Sequence, residues 1–231
     1  MKRLFPVFAF LFFYSLNLYS QELYDMKQAI DFFNSAKLTD GDWRAGLTEA
    51  DIEGTPYLND EFIEGAIFTT SKNQFVNVPV RYNIFSDQIE FRTDDGSVMA
   101  LAAPEAVEKV EFGDFQLEYI PYLLGNKIKR GFFVLLEKGE VTLYSRPRIL
   151  FEQAKEPGAY SSAQPPKFLR RPDEYYIRAG KEPAEIIVKR KDISRVLPDH
   201  QKEVEDFIKD NRIKTNRPED LSRLVQYYNS L

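Results

Sequence analysis

Between Gln74 and Ile84, apolar and polar residues take turns. Val76, Val78, Val80, Tyr82 and Ile84 are apolar, and Asn77, Pro79, Arg81 and Asn83 separate them. A period of two places alternate side chains on opposite faces of an extended strand, whereas a helix needs a period near 3.6. The pattern recurs at Ile89 and Phe91, at Val110 and Phe112, and at Phe115, Leu117 and Tyr119. Short turn-forming stretches divide these runs: Ser86-Asp87-Gln88, Asp94-Asp95-Gly96, Gly113-Asp114 and Lys138-Gly139-Glu140. Asp-Gly favours hairpins because both residues tolerate positive φ. Connections this short join antiparallel neighbours, since a parallel crossover needs a dozen or more residues. Residues 54–152 are therefore predicted to form an antiparallel β domain, either a two-layer sheet or a partly open barrel. A closed barrel with an internal cavity is the chief alternative.

Two segments depart from simple alternation. Phe132 to Leu136 is apolar on both faces, which predicts a strand covered on both sides. Pro147, inside the run from Val141 to Phe151, cannot donate to a ladder and predicts an edge or a bulge.

The flanks read differently. Residues 1–20 have the form of a secretory signal: Lys2 and Arg3, an apolar run from Leu4 to Phe13, then a more polar stretch ending in Ser20. The run is too short to span a bilayer comfortably. Export with cleavage after Ser20 is expected, placing the chain in the periplasm or at the cell surface. Residues 21–53 form an arm with a short helical pattern at Met26, Ile30 and Phe33. Residues 153–189 carry Pro157, Pro165, Pro166 and Pro172 and predict an extended wrapping segment. A last hairpin is expected there around Gly180-Lys181-Glu182-Pro183. Residues 190–231 predict a helical tail: one short helix stopping before Pro198, one capped by Asp199, and one opening at Pro218. Val204, Phe207 and Ile208 form the second helix's apolar stripe, and Leu221, Leu224, Val225 and Tyr228 the third's.

Composition narrows the chemistry. The net charge of −5 becomes −7 once Lys2 and Arg3 leave with the signal, and no basic run is dense enough to follow a nucleic-acid backbone. There is no cysteine, hence no disulfide and no lipid-modified cysteine to serve as an anchor. The lone histidine, His200, has no partner for a zinc site and reads as a surface residue. No G-x-S-x-G turn, P-loop or G-x-G-x-x-G is present, and Asp94-Asp95-Gly96 lacks the ligand spacing of a calcium loop. No cofactor, metal site or catalytic residue is therefore assigned.

The candidate binding residues are Tyr144, Arg146 and Arg148, which share one strand face, and Arg170 and Arg171 with Tyr175 and Tyr176. Arginine beside tyrosine suits recognition, through stacking and paired bonds to carboxylates. The expected function is a non-enzymatic binding or accessory module of the cell envelope, with a protein or glycan partner. A glycan- or peptide-directed hydrolase using dispersed carboxylates is the alternative.

The segments Gly54-Thr55-Pro56-Tyr57-Leu58-Asn59, Val80-Arg81-Tyr82-Asn83, Pro172-Asp173-Glu174-Tyr175-Tyr176-Ile177 and Leu224-Val225-Gln226-Tyr227-Tyr228-Asn229 carry a likeness. Through them the chain resembles a family of exported Bacteroidota proteins with no assigned activity. The resemblance implies export and a shared fold, and adds no chemistry.

Overall fold

A computed structural model describes residues 23–24, 52–155, 157, 163–197 and 199–231. The expected signal, the helical pattern at Met26, Ile30 and Phe33, and most of the 21–53 arm lie outside these residues.

The fold is mainly β, a curled half-barrel sheet followed by C-terminal helices. In chain order the strands are β1 (Leu23–Tyr24), β2 (Ile63–Thr69), β3 (Gln74–Asn83), β4 (Gln88–Arg92), β5 (Val98–Ala100) and β6 (Val107–Phe112). They continue with β7 (Phe115–Leu124), β8 (Lys127–Glu137), β9 (Val141–Glu152), β10 (Lys167–Ala179) and β11 (Glu185–Ile186). The helices are α1 (Arg190–Val196), α2 (Gln201–Asp210) and α3 (Pro218–Tyr228).

Every named turn joins the strands it was expected to join, and the neighbours from β2 to β11 are antiparallel. The sheet is not a pure meander. Its order is β11-β10-β9-β8-β7-β6-β2-β3-β4-β5, so the chain returns from edge strand β5 to lay β6 beside β2. A single 3-10 turn at Pro104–Ala106 makes that return. β1 adds a short parallel pairing to β3 at Gln74 and Phe75.

The alternation in β3 breaks at one point. Asn77 has φ 55°, and the register to β2 shifts between Gly65 and Ile67. This bulge puts an extra residue in β3, so Phe75 rather than Val76 joins Val78, Val80 and Tyr82 in the core. Val76 was expected on the inner face; the bulge leaves it half-buried.

The core has three parts. The largest lies inside the curl and joins Ile67, Phe75, Val80, Phe91, Val110 and Phe132, among others. The second sits beneath the helices, where Leu143 and Ile177 of the sheet meet Ile193, Ile208, Leu221 and Leu224. The third is on the reverse face of β7–β10, around Phe133, Tyr122, Tyr144 and Tyr176. Phe132 and Phe133 are both buried, on opposite faces, as their run of apolar neighbours predicts. Among the described residues, what covers the reverse face is not a second sheet. Ala184, beyond the β10 turn, folds back to bridge Tyr122 of β7.

Residues 167–171 do not wrap the fold; they are the first part of β10, paired with β9 along its length. Pro172 is accommodated because the β9–β10 register shifts between Arg171 and Glu174. The shift faces Pro147, so both prolines share one irregular level of the ladder.

In the tail, the Asp192 carboxylate accepts the backbone N–H groups of Val188 and Lys189 and so starts α1. The second helix is not capped by Asp199; the residue before it is His200, at φ 54° and without a side-chain cap bond. His200 is exposed and lies edge-on to Tyr228. Asn229 fastens the end of α3 to the sheet. Its amide accepts from the Val141 N–H at 2.9 Å and donates to the Val141 carbonyl at 2.8 Å, as a neighbouring strand would.

Candidate functional site

β8 and β9 begin as partners and then separate. Their ladder runs through Val134 and Ser145 and ends there. Beyond it, β8 stays with β7 and β9 stays with β10. The separation begins beside Pro147, which has no N–H to offer.

The β3–β4 turn fills the opening. Asp87, at φ 55°, accepts from the Phe132 N–H at 3.1 Å and from the Tyr82 hydroxyl at 2.8 Å. The carboxylate thus serves a β8 amide that the departing β9 leaves without a strand partner. Space for it depends on Gly131, since a Cβ there would lie 2.6 Å from the Asp87 carboxylate. Arg146 of β9 completes the group, 3.8 Å from Asp87.

Beside this wedge lies a cleft of about 420 Å³. Its walls include Tyr82, Tyr122, Lys129, Arg146, Arg148 and Glu174, contributed by β3, β7, β8, β9 and β10. The Arg146 guanidinium lies over the Tyr122 ring at 4.5 Å and near Phe133 at 5.5 Å. Arg148 pairs with Glu174, which also accepts from the Tyr176 hydroxyl at 3.2 Å. Among the described residues, three cations and one carboxylate line the cleft, a positive pocket in an acidic chain.

Burial sets the electrostatics. Desolvation raises the Asp87 carboxyl above its ordinary range, although Tyr82, the Phe132 N–H and Arg146 each pull it down. Desolvation, with the Asp87 charge behind it, holds the Tyr82 hydroxyl well above its usual pKa. Burial and Glu174 push Tyr176 up to about 12. All these tyrosines stay neutral at physiological pH and can donate hydrogen bonds.

A raised carboxyl favours the folded state when protonated. That contribution is complete below the unfolded aspartate pKa of about 4 and disappears as pH rises through the folded value. Asp87→Asn keeps an acceptor without the charge. It is expected to be at least as stable as the parent at pH 7, with the difference shrinking as pH falls toward 4. Asp87→Ala removes the acceptor and places a Cβ residue without polar compensation at positive φ, costing about 2–4 kcal/mol. Denaturant titrations at two pH values check both variants.

The structure divides the sequence candidates. Arg146 and Arg148 line the cleft; Tyr176, opposite Tyr144 in register, is buried outside its lining and reaches it through its bond to Glu174. Tyr144 is buried behind it and donates to Glu118 at 2.6 Å. Tyr175 points to the other face and packs beneath the helices. Arg170 pairs with Asp173 at 2.7 Å, and Arg171 is exposed opposite Arg148. Asp87, Tyr82, Tyr122, Lys129 and Glu174 were not singled out from sequence. The available signal was Gly131, an isolated glycine in a strand that marks a close approach by another group.

Comparison with protein-family models, curated proteins and solved structures finds no match to this chain. Among the described residues no cluster of His, Cys, Asp or Glu is arranged to hold a metal ion. Likewise, no helix among them is long and apolar enough to cross a membrane.

Proposed function

We propose that this chain is an exported binding module of the cell envelope, and that the β8–β9 cleft receives an acidic group of a glycan or polypeptide. The carrying observation is Arg146. Its planar guanidinium is braced on Tyr122, held from behind by Asp87 at 3.8 Å, and still partly open to the cleft. A braced, partly desolvated guanidinium is suited to carboxylate, because its N–H fork fits two oxygens at once. Lys129 and Arg148 add positive charge on the same walls. The leader-like first 20 residues and the resemblance to exported Bacteroidota proteins support the compartment.

The hydrolase alternative would draw on Asp87 and Glu174. Both oxygens of Glu174 are engaged, by Arg148 and Tyr176. Asp87 is held by Tyr82, Phe132 and Arg146. Neither carboxylate is poised to activate water or protonate a leaving group, so the binding reading is preferred.

The test is calorimetric titration with a panel of uronic-acid oligosaccharides, acidic peptides and their neutral counterparts. Acidic members are expected to bind, more weakly as salt increases. The pair Arg146→Gln with Arg148→Gln should weaken binding by roughly 3–6 kcal/mol, since charge-assisted bonds are worth about 1.5–3 each. Equal affinity for neutral counterparts, or no change in the double variant, would contradict the proposal.

A further inference from the structure

The β7–β8 ladder continues to Leu124 and Lys127 after the pairings to β6 and β9 have ended, and its tip borders the cleft. Residues 124–130 are all exposed, including two large aliphatics: Leu124 at 49% and Ile128 at 65%. In register, Leu123 faces Ile128 and Leu124 faces Lys127. Neighbouring pairs alternate faces, so the tip is apolar on both sides rather than amphipathic across one. Lys127, Lys129 and Arg130 sit among these residues, and no acidic residue occurs between Glu118 and Glu137. In a chain with 36 acidic residues, that stretch is conspicuously cationic.

A turn that met only water would leave these two aliphatic side chains exposed. A polar tip would serve a solvent-facing hairpin better. A thin, two-sided apolar edge ringed by lysine and arginine suits the boundary between lipid headgroups and acyl chains. Aliphatic groups enter the acyl boundary there while cations remain among phosphates. We infer that the tip at Leu124 to Arg130 docks on an anionic phospholipid surface. This goes beyond the cleft reading: Leu124 and Lys129 border the cleft, but Lys127, Ile128 and Arg130 do not, and the inference rests on those three.

The experiment is co-sedimentation of the purified protein with two kinds of vesicle. One kind is phosphatidylcholine alone, and the other is phosphatidylcholine mixed with phosphatidylglycerol. Binding to the mixed vesicles, weakened by salt, with little binding to phosphatidylcholine alone, is the expected result. Lys127→Gln with Arg130→Gln should lower partitioning roughly 25-fold, at about fivefold per charge near an anionic surface. Ile128→Asp should abolish it. All three positions are exposed and outside the cleft wall, so thermal melting should be unchanged; if Ile128→Asp melts early, the Lys127 and Arg130 pair decides. Arg146→Gln should leave vesicle binding intact. Equal binding to both vesicle types, no binding to the mixed vesicles, or insensitivity to the Lys127 and Arg130 pair would overturn the inference. So would loss on Arg146→Gln alone, which would assign the lipid to the cleft.

Discussion

Leu224→Asp is expected to release the helical tail from the sheet and to cost at least ~4 kcal/mol. Leu224 is fully buried in the cluster that joins α3 to Leu143 and Ile177. Truncating a buried leucine costs about 2–5 kcal/mol, and a carboxylate in that setting adds an unpaired charge. A domain of ordinary stability holds about 5–15 kcal/mol in all. The melting temperature should fall by roughly 10 °C or more. Limited proteolysis gives the more specific reading. If the tail alone detaches, cleavage should fall between Val188 and Pro218 while the sheet stays resistant, because Asn229 and Leu224 are its joint fastenings to Val141 and its neighbours. A variant that melts and digests like the parent would show that the helices do not depend on this contact.

Gly65→Ala should be nearly as damaging, for a different reason. A Cβ at this position would lie 2.3 Å from the Glu111 carbonyl oxygen, 2.9 Å from the Phe112 Cβ and 3.0 Å from a Val80 methyl. The nearest obstacle is backbone, so no rotamer change relieves it. β2 is also the strand on which the two arms of the sheet meet, with β3 on one side and β6 on the other. Forcing β2 and β6 apart opens the sheet at the join made by the return from β5. The expected loss is about 3 kcal/mol, at the upper end of typical overpacking costs. Hydrogen exchange should accelerate first at β6, around Val110 and Glu111. Parent-like stability would mean that the strands are not so closely apposed.

The local grammar of the chain was readable. Alternation located the strands, and the short polar stretches located the turns, because both depend on neighbours within a few residues. The two-sided burial of Phe132 and Phe133 followed from their sequence context, and Pro147 marked the irregular level of the ladder. Long-range choices were not readable. Nothing in Leu101 to Ala106 announces that β6 will pair with β2 rather than β5. Asn77 does not reveal in advance that it will absorb a bulge and shift Val76 out of the core phase.

The site was half legible. Applied strictly, the period-two rule separates Tyr175 from Tyr176 and leaves only Tyr176 on the face of Glu174, which lines the cleft. Asp87 read as turn punctuation because its role is set by β8, more than forty residues later in the chain. A carboxylate that substitutes for a missing strand partner has no local signature. The solitary Gly131 was the mark it left.

The claim that most of this rests on is that the β3–β4 turn plugs the gap between β8 and β9. Amide hydrogen exchange at Phe132 tests it most directly. In the parent and in Asp87→Asn this amide should be protected about as well as its β8 neighbours that bond to β7. In Asp87→Ala it should exchange at least ~100-fold faster, in keeping with the loss of a buried acceptor, while the β7–β8 ladder stays protected. Free exchange at Phe132 in the parent, or equal protection in Asp87→Ala, would contradict the wedge and the cleft built beside it.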